Sequence, residues 1–131
     1  MLFRSMDKVE WDEGFSVGNA QIDNQHKTFI HMINEVSDLS LKGYEKSAVS
    51  LKLMDLMRYS DVHFQTEELK MARGKYPDIE QHMHLHEEFR DNVSRMMLTD
   101  GVGLSEILGF MKIWLKEHLI NEDKKYEEYI L

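Results

Sequence analysis

Apolar positions recur along this chain at steps of three and four in four separate stretches, with breakers between them. Between Asn19 and Leu41, the residues Ile22, His26, Phe29, Ile33 and Val36 form one stripe, the signature of a helix burying a single face. Asn19 suits the N-cap, and Gly43 breaks the pattern. A second stretch, from about Glu45 to Arg73, aligns Val49, Leu53, Leu56, Ser60, His63 and Glu67, so its stripe turns polar towards the C-terminal end. A third, from about Asp78 to Leu98, aligns Ile79, His82, His86, Phe89, Val93 and Met96, and changes in the opposite sense. After the breaker Thr99-Asp-Gly-Val-Gly103, a fourth stretch from about Leu104 to Ile120 turns Leu104, Ile107 or Leu108, Met111, Trp114 or Leu115, and His118 inward. Residues 1–18 have no helical period and read as an extended arm, with Trp11, Phe15 and Val17 packed on the body. Residues 121–131 read as a charged tail carrying Tyr126, Tyr129 and Ile130.

Four helices with short connections predict an all-α chain, an up-down-up-down antiparallel four-helix bundle over 19–120 within one domain spanning 1–131. In that topology the start of the first helix, the end of the second, the start of the third and the end of the fourth share one end of the bundle. His26 lies about seven residues, ~10 Å, into the first helix, and Glu67 lies a similar distance before the turn at Gly74-Lys-Tyr-Pro77. His82 and His86 lie ~6 and ~12 Å after that turn, and His118 falls in the last turn of the fourth helix. The pairs His63/Glu67 and His82/His86, each four residues apart, can each offer two ligands from one helical face. Singly, an inward histidine is more often a core residue than a ligand. Five histidines and a glutamate converging at one depth would be costly filler, and a metal centre is the natural compensation. His31 and His84 fall off the stripes and read as surface residues. Asp123 is a further candidate ligand; five residues from His118, it requires the helix to loosen there, as in a π-type turn, or else it belongs to the acidic tail. The opposite end of the bundle is expected to be apolar.

Composition narrows the chemistry. At 131 residues with 42% apolar and 31% charged residues, the chain is long enough for a core of its own and composed like a globular protein. One proline and seven glycines argue against an all-β fold. A net charge of −8 opposes binding to nucleic acid or an anionic membrane. No cysteine is present, so disulfides, thiolate zinc sites and cysteine-held clusters are excluded, and histidine and carboxylate remain as metal ligands. No stretch has signal-peptide character or could span a membrane as a helix, which makes the cytoplasm the default expectation.

Trp11-Asp-Glu-Gly-Phe15-Ser-Val-Gly18, Ile22-Asp-Asn-Gln-His26, His63-Phe-x-x-Glu67-Glu, His82-x-x-x-His86 and Trp114-Leu-x-x-His118-x-x-x-x-Asp123 resemble the hemerythrin family, in particular its bacterial single-domain members. The resemblance runs through nearly the whole chain and departs at no ligand position. It implies two iron ions joined by an oxo or hydroxo bridge, with His82, His86 and His118 on one iron and His26 and His63 on the other. Glu67 and Asp123 would bridge them. Two roughly octahedral irons offer about twelve positions, of which these ligands and the bridge fill about eleven. The vacancy falls on the iron with two histidines, and the implied function is reversible dioxygen binding for storage, transport or delivery. Family position and adjacency make Phe29, Phe64, Trp114 and Leu119 candidate walls of the dioxygen pocket, a role compatible with plain core packing. No Glu lies three residues before any His, unlike the repeat of carboxylate-rich di-iron enzymes, so binding is expected rather than catalysis. A di-iron oxidase, peroxidase or nitric-oxide-handling enzyme and a dioxygen or redox sensor are the alternatives; the sequence identifies no protein partner.

Overall fold

The computed structural model describes residues 8–130, in which α1 (Ala20–Leu41), α2 (Lys46–Arg73), α3 (Ile79–Leu98) and α4 (Leu104–Glu117) form a four-helix bundle. The connections 42–45, 74–78 and 99–103 are too short for anything but antiparallel neighbours. α1 packs on α2 and α4, and α3 packs on the same two, closing the ring. Asn19 caps α1 through its side chain, which accepts the Ile22 N–H at 3.1 Å. Gly43, with φ of 77°, supplies the left-handed residue that lets the chain leave that helix.

The stripes foreseen from periodicity form the core. Phe29, Ile33, Leu56, Phe89, Met111 and Leu115 are all buried, and each large apolar side chain so placed contributes about 1.5–3 kcal/mol relative to exposure. The end away from the histidines is not wholly apolar, contrary to expectation. Lys112 is buried there, its ammonium donating to Ser37 Oγ at 2.7 Å beside a cavity of about 390 Å³. Its place four residues after Leu108 puts it on the buried stripe, although its charge argued for the surface.

Both flanking segments fold back onto the bundle. Val9 exchanges two hydrogen bonds with the Asn34 amide, while Ser16 Oγ and the Val17 N–H donate to Asp23 near the start of α1. Within this arm Glu13–Phe15 forms a short 3-10 turn and buries Phe15; residues 1–7 of the expected arm lie outside the described residues. After α4 the chain makes a π-helical turn, His118–Glu122, and then a 3-10 helix, Asp123–Tyr129. Within the stretch read as a charged tail, Tyr126 and Ile130 join Val17, Ile22, Met71 and Tyr76 in a second apolar cluster. Gly74 permits that closure, because a β-carbon there would collide with the carbonyl oxygen of Tyr129. Among the described residues no helix is long and apolar enough to cross a membrane.

Candidate metal centre

Each inward polar side chain is delivered by local helix geometry. His63 and Glu67 stand one turn apart on α2, and His82 and His86 one turn apart on α3, so each pair projects from one face. His26 comes from the second turn of α1. His118 and Asp123 need a different device. Five residues apart, they would diverge on a regular helix, but the π turn closes the Asp123 N–H onto the His118 carbonyl and brings the side chains together. His118 Nε2 then lies 3.0 Å from Asp123 Oδ1. The structure thus brings together all seven residues singled out in the sequence, each 5% exposed or less. His31 and His84, read as surface residues, are largely exposed.

The two carboxylates divide the histidines between them. Glu67 Oε2 lies 3.0 Å from His26 Nε2 and 3.3 Å from His63 Nε2, whereas Oε1 lies 3.1 Å from His86 Nε2 and 3.7 Å from His82 Nε2. Asp123 repeats the division: Oδ2 lies 3.0 Å from His26 Nε2, and Oδ1 lies 3.1 Å from His82 Nε2 and 3.0 Å from His118 Nε2. Two groups of donors result, His26, His63, Glu67 and Asp123, and Glu67, His82, His86 and His118, each with ligand atoms close enough to share one ion.

Among these carboxylate–histidine contacts, only that of His26 Nε2 with Glu67 Oε2 has hydrogen-bond geometry. Glu67 Oε1, His86 Nε2 and both Asp123 oxygens are buried without a hydrogen-bond partner, despite neighbours near 3 Å. The other such atoms among the described residues are the Nδ1 nitrogens of His26 and His82. His82 Nε2 and His118 Nε2 face each other at 3.2 Å. The carboxylate and imidazole atoms left without partners at such separations converge on shared points instead. Buried orphans are costly, and cations at those points would satisfy them. A sulfur-free set of imidazole and carboxylate suits a first-row divalent metal.

Electrostatics lead to the same conclusion. Burial opposes protonation of His26, but the Asp123 and Glu67 carboxylates outweigh it and push the imidazole up to about 10. His82 rises to about 9 by the same balance. For His63 burial prevails and its pKa is lowered. Burial and the Glu67 charge raise the Asp123 pKa, yet His118 and His26 outweigh them and hold it well below the usual carboxylate range. Glu67 is lowered too, its burial overcome by His63, His26 and His82. Two buried carboxylates thus demand positive charge, which protons supply in the absence of metal.

Phe29, Phe64 and Leu119 belong to the buried core, and Trp114 packs against it. Phe64 stacks on His86 with centroids 3.9 Å apart, Trp114 stacks on His118 at 4.3 Å, and the Phe29 ring stands edge-on to His63 at 6.3 Å. Three polar neighbours escaped the sequence reading. Tyr126 donates its hydroxyl to Glu67 Oε2 at 2.6 Å, Gln25 Oε1 meets His63 Nδ1 at 2.8 Å, and Glu68 Oε2 meets His86 Nδ1 at 2.7 Å. Burial, then the Asp123 and Glu67 charges, push the Tyr126 hydroxyl well above its ordinary value of 10, so it stays a donor. Its signal was present: Tyr126 follows Asp123 by three residues, one turn of a 3-10 helix.

Comparison with known proteins bears on what such a cluster is for. Residues 17–130 match the family model of the hemerythrin HHE cation binding domain. A bacteriohemerythrin of Pseudomonas aeruginosa is 32% identical over 129 residues, 95% of this chain and 83% of that protein. A hemerythrin-like protein of Naegleria gruberi is 31% identical over 89% of each chain, and the myohemerythrin of Theromyzon tessulatum 28% identical over 97% of this chain and 98% of its own. A crystal structure of a leucine-to-phenylalanine mutant protein shares the fold, with a TM-score of 0.82 at 24% identity, covering 93% of this chain and 96% of that one. With a family model spanning most of its length and relatives above 30% identity, the chain belongs to the hemerythrin family.

Proposed function

We propose that this chain binds dioxygen reversibly at a non-haem di-iron centre and stores, transports or delivers it. In this reading His82, His86 and His118 would hold one iron and His26 and His63 the other, with Glu67 and Asp123 shared by both. The observation that carries it is the division of both carboxylates, each with one oxygen towards either histidine group. A single-metal site has no use for that arrangement. The pairing of iron with dioxygen comes from the family, which is known for oxygen binding rather than catalysis.

When bound, the irons supply electrons that can be lent to dioxygen and recovered on release. The protein's side chains set the limits of that exchange. Three imidazoles face one position and two the other, so with two octahedral ions the position left for a diatomic ligand would fall on the His26/His63 side. Phe29, Phe64, Trp114 and Leu119 are buried or half-buried around the cluster and serve as walls that keep water and larger substrates away. Tyr126, kept protonated, holds Glu67 in place.

Repeated oxygenation and deoxygenation followed by absorbance tests the reading. A visible band that appears with dioxygen and vanishes on its removal over many cycles is the expected result. Rapid one-way conversion to the ferric protein overturns reversible binding and favours an enzyme or a redox sensor.

A further inference from the structure

The two histidine groups are backed by chemically different partners. On one side, His63 Nδ1 meets Gln25 Oε1 at 2.8 Å. The orientation of that amide follows from its other end, where Gln25 Nε2 donates to Thr66 Oγ1 at 3.3 Å and the Thr66 hydroxyl donates to the Val62 carbonyl at 3.0 Å. The amide oxygen therefore accepts the His63 Nδ1–H, which leaves the Nε2 lone pair facing the centre. On the other side, His86 Nδ1 meets Glu68 Oε2 at 2.7 Å, and a carboxylate can only accept, so His86 too presents Nε2 inward. Each histidine group thus contains one ring oriented in this way, by a neutral amide in one and by a charged carboxylate in the other.

The difference has a direction. A carboxylate behind an imidazole raises the donor strength of its far nitrogen more than an amide does, because the hydrogen bond is charge-assisted. Tyr126 adds to the bias. Its hydroxyl donates at 2.6 Å to Glu67 Oε2, the oxygen facing His26 and His63, and draws electron density from it, while Oε1, facing His82 and His86, has no hydrogen bond. We propose that Gln25 and Glu68 are positioning residues that grade the two metal positions, so that the His82/His86/His118 position retains its metal and the His26/His63 position exchanges it. The grading follows from the partners as well as from the ligand count, and the inference rests on the two-metal reading above.

Isosteric exchange of the two partners tests it. The metal-free protein is loaded with Co(II) under anaerobic conditions, metal content is measured, and release to excess EDTA is followed by absorbance. The wild-type chain should release its two ions in two phases of equal amplitude. Gln25→Glu should slow the fast phase alone, and Glu68→Gln should accelerate the slow phase alone, each by about tenfold or more. A merely structural role for these residues would make both substitutions accelerate both phases, and that result overturns the proposal. Two ions leaving the wild-type chain at one rate also overturn the grading while leaving the two-metal reading intact. Fewer than two bound ions in the wild-type chain overturn both.

Discussion

Glu67 contacts more of the centre than any other residue. Its two oxygens lie within 3.7 Å of four inward histidines, and Tyr126 donates to one of them. An amide of the same size offers one acceptor and one donor in place of two anionic oxygens, so it cannot face two cations. Glu67→Gln should therefore reduce bound metal from two ions to at most one per chain, with helix content by circular dichroism unchanged. Retention of two ions would refute the bridging role. At this scale the stripe positions separated the five inward histidines from His31 and His84 in the sequence itself. The supporting shell was harder to find. Gln25 and Glu68 each sit one residue away from a ligand, His26 and Glu67 respectively, yet each serves a histidine on a neighbouring helix. Pairing of that kind depends on how helices are rotated against one another, which the periodicity of a single helix does not specify.

Among the elements, the π turn was legible because a candidate ligand five residues after His118 could face the same site only if the helix loosened. The segment after it was not, since Asp123–Tyr129 is rich in charge, and Tyr126 and Ile130, four residues apart, are too few to establish a period. A 3-10 helix turns every three residues, and a short one leaves little pattern to detect. Its seat against the end of α2 includes one approach too close for a β-carbon, that of Tyr129 to Gly74. Gly74→Ala should push the segment outward and destabilise the fold by about 1–3 kcal/mol, the usual range for overpacking, as read from denaturant unfolding. Because Asp123 and Tyr126 ride on that segment, metal affinity should fall with it. Unchanged stability and unchanged affinity would show that the contact yields freely.

For the molecule as a whole, the buried charges make stability depend on pH in a way that metal should reverse. The protonated forms of His26 and His82 are favoured in the folded chain, where their values are about 10 and about 9 against an ordinary 6.5. The stability they contribute is fully present below 6.5 and is lost as pH rises towards those folded values. On the acid side His63, kept neutral by burial, works against the fold as it protonates, and the lowered carboxylates lose their contribution as pH falls through and below their ordinary values of 4.5 and 3.8. The thermal midpoint of the metal-free protein should thus peak near 6.5 and decline towards 10. Metal must displace the protons on His26 and His82, so uptake at neutral pH should release protons and tighten as pH rises. A metal-free midpoint that climbs steadily to pH 9 would contradict this balance. The bundle itself was plain from the sequence, because four periodic stretches and short connections leave little choice of topology. The buried Lys112 was not, since its spacing from Leu108 and its charge pointed in opposite directions.

Metal analysis of protein purified without added metal bears most directly on the central claim, that one set of buried side chains holds a pair of irons. About two irons per chain is the predicted result. One metal per chain, or zinc in place of iron, would contradict it.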